Sequence, residues 1–225
     1  MCNLYKLNAK PDHLRELLRY VEEHDFPPRA YVSPGSPIAI IRAERDGIRH
    51  LVLVRWGFVP SWAKEVAPGK PLTNARSETI LEKASFKNAI RRRRCLIPAD
   101  GFYEWSGPEG RKQAYHIARA DGAPFAFAGI WEHWQGAEGS ELETAAIVTT
   151  EALPPIAHLH HRMPVIVPPD LHEDWLANDR VEADKALALV KARPDPALTF
   201  APVTLERRAP APKPPPPPPD QMSLF

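Results

Sequence analysis

The spacing of hydrophobic positions changes several times along the chain, and each change marks an element. In residues 11–24, Leu14, Leu17, Leu18 and Val21 recur at i, i+3, i+4 and i+7, which predicts an amphipathic helix. Apolar runs at 38–43 and 48–56 predict strands, with a turn around Asp46-Gly47 between them. Residues 77–84 and 86–93 return to helical spacing. Further strands are expected at 95–98, 101–105, 114–119, 125–131, 144–150 and 165–167, helices at 169–177 and 181–192, and a last short strand near 198–203. Strands come in runs and do not alternate one for one with helices. That order predicts an α+β fold, a mainly antiparallel, barrel-like sheet flanked by helices, with no internal repeat.

Composition narrows the class. Of the 225 residues, 44% are hydrophobic and 25% charged, which excludes a wholly disordered chain. No apolar run approaches the roughly 18 residues that span a bilayer, and the start, MCNLYKLNAK, lacks the apolar core of a secretory signal. Cys2 and Cys95 are too few for a disulfide framework and fit a reducing cytoplasm. The formal net charge of +1 argues at first against a nucleic-acid partner. Yet residues 1–105 carry 18 basic and 12 acidic side chains, against 11 and 16 in residues 106–225, the mark of a localised basic surface. Eight of the 27 prolines fall within residues 210–219. From about residue 207 the chain reads as a disordered, Pro-rich spacer, rising ~3.1 Å per residue where it is polyproline.

Five features could carry chemistry. Removal of Met1 would leave Cys2 as the N-terminus, a 1,2-aminothiol whose amine attacks carbonyls and whose thiol attacks acyl groups; an ordinary cysteine in an N-terminal strand is the bland alternative. Asn74 and Arg76, in an Asn-x-Arg entering the predicted helix, offer an amide and a guanidinium suited to a carbonyl and a phosphate, or simply a helix cap and a surface arginine. Glu104 shares a strand face with Phe102, where a carboxylate is either paired or works as an acid or base. His160, in the run HLHHRMP at 158–164, sits at a strand mouth where an imidazole transfers protons near neutrality. Three histidines in four residues suggest a metal, but no Cys/His set elsewhere has ligand spacing, so no cofactor is expected. Trp62, in WGFVPSW at 56–62, would suit stacking on single-stranded bases, and Arg91, Arg92 and Arg94 of the tetra-arginine run would follow a phosphate backbone unless they only solvate a helix end.

Taken together, Met1-Cys2, WGFVPSW, LTNARSET (72–79), CLIPADGFYEW (95–105) and HLHHRMP resemble the SRAP family, the SOS response-associated peptidase domain, over residues 2–206. The resemblance implies a protein that recognises abasic sites in single-stranded DNA and crosslinks to them. The Cys2 amine would form an imine with the opened sugar aldehyde and its thiol would close a thiazolidine. It further implies that Asn74 orients the sugar near Cys2, Arg76 holds a flanking phosphate, Glu104 serves the amine, and His160 assists ring opening. Pro34 and Trp62 match positions that wedge the nucleic acid apart. The chain departs from the usual start Met-Cys-Gly-Arg-Phe: Asn3 and Leu4 stand in place of glycine and of a DNA-reaching arginine. The usual Tyr-Asn-x-Ala-Pro stands here as Ala30-Tyr31-Val32-Ser33-Pro34.

The rival enzyme class is an N-terminal-nucleophile peptidase or amidohydrolase using the Cys2 thiol, with Asn74 as oxyanion donor. A third reading is a non-catalytic DNA-binding module. The end of the chain, QMSLF at 221–225, resembles the Gln-x-x-Leu-Phe peptide that binds the bacterial sliding clamp, with Gln221, Leu224 and Phe225 as anchors behind the spacer at 207–220. The expected location is the cytoplasm, at the nucleoid and replication fork, with no membrane partner.

Overall fold

Residue 5 already belongs to a sheet, and the order in which strands pair decides where the N-terminus goes. The structure, a computed structural model, describes residues 2–22, 26–66, 71–154, 156–192 and 198–205. In chain order the strands are β1 (Tyr5–Leu7), β2 (Arg29–Val32), β3 (Pro37–Ala43), β4 (Arg49–Trp56), β5 (Asn74–Arg76), β6 (Arg94–Ala99) and β7 (Gly101–Ser106). They continue with β8 (Gln113–Arg119), β9 (Phe125–Gln135), β10 (Glu141–Glu151), β11 (Arg162–Pro164), β12 (Ile166–Val167) and β13 (Leu198–Val203). The helices are α1 (Pro11–Leu18), α2 (Lys87–Arg92), α3 (His172–Leu176) and α4 (Ala183–Ala192), with 3-10 turns at Ile156–His158 and Pro169–Leu171.

Two sheets result. The smaller has the order β13-β8-β7-β1-β2, so β1 is internal. In the larger, pairings run from β4 through β3, β6 and β9 to β10, and β10 returns to β4 in parallel over Thr144↔Arg55 and Ala145↔Trp56. That circuit is the form taken by the expected curled, mainly antiparallel sheet. The core between the sheets is aromatic: Tyr5 meets Trp56 and Phe127 edge-on, with ring centroids 5.3 and 5.8 Å apart. Among the described residues no helix is long and apolar enough to cross a membrane.

Most apolar runs fold as expected, and the exceptions have causes. Helix α1 stops at Leu18, where Arg19 adopts a left-handed φ of 55° and returns its N–H to the Arg15 carbonyl. Tyr20 then bridges to Arg49, and the Val21 N–H bonds to the Arg49 carbonyl, which draws the chain onto β4. Residues 77–84, expected as a helix, form hydrogen-bonded turns: the Ser77 N–H stays with Thr149 O, and the Thr79 and Glu82 N–H groups reach back only three residues, to the Arg76 and Thr79 carbonyls. Asn74 and Arg76 do not enter a helix: they lie on β5, paired in parallel with β10. The short strands β1, β2, β5 and β11 carry too few residues for alternation to be visible, and their partners supply the pairing. The spacer at 207–220 and the peptide with Gln221, Leu224 and Phe225 lie outside the described residues.

The tetra-arginine run divides where α2 hands over to β6. Arg91 and Arg92 end the helix and are exposed. Arg93 pairs with the buried Glu132 at 3.0 Å and lies over the Trp131 ring. Arg94 corrects the expectation of a phosphate contact: it is fully buried. Its Nε donates to Trp175 O at 2.6 Å, Nη1 to Ile90 O at 3.1 Å, and Nη2 to Ala177 O and Val181 O at 3.0 and 2.8 Å. These acceptors lie at and beyond the ends of α2 and α3, where carbonyls lack intrahelical donors. Burial pulls the guanidinium down to about 10, still charged at neutrality.

Replacing Arg94 by Met would leave several buried carbonyls without donors, at a cost of about 3 kcal/mol or more. Chemical denaturation of Arg94→Met should show that loss, whereas Arg91→Ala and Arg92→Ala should change stability by less than about 0.5 kcal/mol.

Candidate functional site

The site forms where the two sheets meet at the N-terminus. On one side β1 runs antiparallel to β7, with Tyr5 opposite Phe102, and the Leu4 carbonyl accepts from the Tyr103 N–H at 3.0 Å. On the other side Asn74 opens β5 and donates through Nδ2 to the Cys2 carbonyl at 2.9 Å. Cys2 is thus held by both sheets at once, and it is 1% exposed.

Glu104 comes from β7. Alternation puts it on the face of Phe102, and both are buried. Burial pushes its carboxyl up to about 7, so it changes protonation state near neutrality. His160 lies between the 3-10 turn Ile156–His158 and β11. Its Nδ1 is 3.0 Å from both the N–H and the carbonyl of Arg162, which fixes the ring and leaves Nε2 4.0 Å from Glu104 Oε2. Desolvation lowers the His160 imidazole, with His161, stacked on it at 4.5 Å, adding to the effect through its charge. The Cys2 thiol is pushed up, first by burial and then by the Glu104 charge. The pocket therefore favours a neutral thiol beside a carboxyl that exchanges its proton near pH 7 and an imidazole shifted toward its neutral form.

Cys2, Asn74, Glu104 and His160, remote in sequence, thus share one site. Arg76 is exposed and lines a cleft of about 470 Å³ with His161, Arg162 and Glu151, next to His160. Arg162 is a residue the sequence reading missed. Buried, it forms a two-pronged pair with Glu78 at 3.0 and 2.9 Å and donates to Thr149 O at 2.8 Å. Burial works to raise the Glu78 carboxyl, but the Arg162 guanidinium outweighs it and holds Glu78 down at about 2. Asn3 and Thr73 were missed as well: Thr73 Oγ1 donates to Asn3 Oδ1 at 3.1 Å, beside Asn74. Nothing in a lone Asn or Thr advertises such a contact; only the neighbourhood of Cys2 and Asn74 could have drawn attention to them.

The other candidates stand outside this group. Pro34 and Gly35 form the tip of the β2–β3 turn, closed by Ser36 N–H to Ser33 O at 3.1 Å, with Gly35 at φ +85°, the type II pattern. Trp62 is 63% exposed, with its Nε1 3.4 Å from Ala84 O. Arg91 is exposed, its guanidinium resting on the Lys87 and Leu81 carbonyls. Arg92 lines a separate cleft of about 1000 Å³ whose mixed charges include Arg49, Arg180 and Glu173. Among the described residues no three His, Cys, Asp or Glu side chains gather as a metal site.

The model of the family described as SOS response associated peptidase (SRAP) matches residues 1–206. The chain is 34% identical over 195 residues to the abasic site processing protein YoqW of Bacillus subtilis (strain 168), covering 85% of this chain and 87% of that one. To the abasic site processing protein HMCES of Gallus gallus it is 36% identical over 224 residues, covering 87% of this chain and 65% of that protein. Among solved structures, one from Bacteroides thetaiotaomicron matches with a TM-score of 0.77 at 26% identity, covering 90% of this chain and 92% of that chain. A phage-related protein from Bordetella bronchiseptica matches with a TM-score of 0.73 at 30% identity, covering 91% and 95%.

The raised Glu104 carboxyl has a measurable consequence for stability. Because its folded value, about 7, lies above the unfolded one, the folded state holds the proton longer, and Glu104 costs stability as pH rises from about 4.5 to 7. Glu104→Gln should therefore stabilise the protein by about 2 kcal/mol at pH 8 and by little at pH 4.5, read from denaturant midpoints at the two pH values.

Proposed function

The chain belongs to the SRAP family, and from that premise we propose that it processes abasic sites in single-stranded DNA by covalent capture at Cys2. Once Met1 is removed, the Cys2 α-amine adds to the C1′ aldehyde of the opened sugar. Loss of one water gives an imine. The thiol then adds across the C=N bond, its proton passing to nitrogen, and closes a thiazolidine; the net change is condensation with release of that water. A thiol and an amine on one residue give a ring more durable than the imine alone. The observation that carries this reading is the Asn74 hydrogen bond to the Cys2 carbonyl, which holds the reacting residue beside Glu104 and His160.

The roles follow from the electrostatics. Glu104, poised near neutrality, takes the amine proton and returns it as water leaves. His160, lowered toward the neutral imidazole, accepts and donates protons at the sugar oxygen as the ring opens. Arg76 holds a flanking phosphate from its cleft, and Arg91 and Arg92 extend the basic track. The exposed Trp62 ring and the rigid Pro34 turn keep flanking bases apart from the lesion. The peptidase reading fits less well, because a thiol protease works through the thiolate and burial here opposes it. Residues 2–206 act as the catalytic and DNA-binding unit. The stretch 207–220 serves as spacer, and 221–225 tethers the protein to the sliding clamp at the replication fork in the cytoplasm, raising its effective concentration there.

Incubation of the Met1-processed protein with a single-stranded oligonucleotide carrying one abasic site should yield a heat-resistant adduct. In Cys2→Ala or Cys2→Ser the durable adduct should vanish, leaving an imine that only borohydride traps. Glu104→Gln should slow adduct formation by about 10²-fold. A durable adduct of wild-type yield from Cys2→Ala would sink the mechanism.

Deleting residues 221–225 should abolish binding to a purified bacterial sliding clamp and leave the adduct yield unchanged. Clamp affinity that survives the deletion would remove the tether.

A further inference from the structure

An asparagine amide has two chemically different ends, and a site built on Asn74 works only if one orientation is held. The Cys2 carbonyl accepts and never donates, so the Asn74 atom 2.9 Å from it is Nδ2. The same Nδ2 lies 3.1 Å from Thr73 Oγ1 and 3.3 Å from Asn3 Oδ1. Thr73 Oγ1 in turn donates to Asn3 Oδ1 at 3.1 Å. These contacts close a small ring: one Nδ2 hydrogen goes to the Cys2 carbonyl, the other is shared between Thr73 Oγ1 and Asn3 Oδ1, and the threonine hydroxyl donates onward to Asn3.

The ring has a rigid foundation. The Thr73 carbonyl accepts from Trp56 Nε1 and from the Ile147 N–H, both at 3.0 Å, so the threonine is anchored to the core tryptophan and to β10. Trp56 and Ile147 are fully buried. Asn3, by contrast, is exposed, and its neighbours are what hold its side chain. Left over is the other branch of the amide. Asn74 Oδ1 is buried with no partner among the described residues. A buried acceptor without a donor is costly, and it persists where a donor arrives with a ligand.

We infer that Asn3 is a positioning residue: with Thr73 it latches the Asn74 amide so that Oδ1 stays available to a hydroxyl of the substrate sugar. The identity of that donor rests on the function proposed above; the latch itself does not. Its effect falls on the rate at which bound substrate reacts and leaves affinity for the strand alone, since Asn3 offers no charge to a phosphate.

The test uses full-length protein whose N-terminal mass establishes loss of Met1. With the abasic oligonucleotide at saturation, Asn3→Ala should lower the rate of adduct formation about fivefold, the size of one net hydrogen bond. Binding of the unreactive tetrahydrofuran analogue should stay within about twofold, placing the loss in the reactive step. Thr73→Val should match Asn3→Ala, the double variant should be no slower than either, and Thr73→Ser, which keeps the hydroxyl, should restore the rate. A second readout is independent of DNA. The side-chain amide protons of Asn74, assigned by their loss in Asn74→Asp, should exchange slowly with solvent in the wild type and about tenfold faster in Asn3→Ala. Wild-type rate and wild-type exchange in Asn3→Ala would overturn the latch. If the unaltered protein forms no adduct, the proposed function falls, and the amide exchange still decides for or against the latch.

Discussion

Free chain ends fray, because nothing beyond them holds the last residues in place. A site built on residue 2 therefore depends on how firmly the first strand is tied, and here the tie is unusually complete. Strand β1 is internal to its sheet, with β2 on one side and β7 on the other. Its Tyr5 side chain is sunk between Trp56 and Phe127. Three residues upstream, Asn74 fastens the Cys2 carbonyl to the second sheet. Glu104 arrives from the first sheet and Asn74 from the second, while His160 leads into β11 of the second. The candidate site is in effect the seam between the two sheets, and both set its geometry.

Charge is distributed around that seam with little left over. Arg162 and Arg94 are both buried and both held by several acceptors, the first by Glu78 and Thr149, the second by carbonyls around α2 and α3. Arg76, Arg91 and Arg92, by contrast, face solvent. A run of four identical residues thus performs three different tasks, because a helix end, a transition and a strand start expose successive side chains to different surroundings.

Much of the fold was legible from the apolar pattern alone, since β3, β4, β6 to β10 and β13 each carry enough apolar residues to stand out. Three-residue strands such as β1 and β5 do not, and their conformation is set by partners dozens of residues away. The Asn74–Arg76 segment shows this directly: its local sequence suits a helix entry, and pairing with Ile147, Val148 and Thr149 overrides it. Candidate site residues stood out where chemistry is unusual for the location, as with a carboxylate on the face of Phe102 or a cysteine at position 2. Asn3 and Thr73 were not, because an exposed amide and a hydroxyl acquire meaning only when folding brings them against Asn74. Arg94 misled for the converse reason: nothing in a basic run announces which member is swallowed by the core.

The internal position of β1 also sets an order of events during synthesis. The strand needs β7, whose Phe102 leaves the ribosome about a hundred residues after Tyr5, and the short β1–β2 pairing alone is too small to persist. At about 5–20 residues per second, the N-terminus stays outside any fold for several seconds. The methionine cleavage that the proposed capture requires has that interval in which to work on an extended chain. Once β7 docks, Cys2 is enclosed, so processing that failed to occur in time would meet a closed structure. The same strand that makes the terminus precise in the finished protein makes it accessible in the unfinished one.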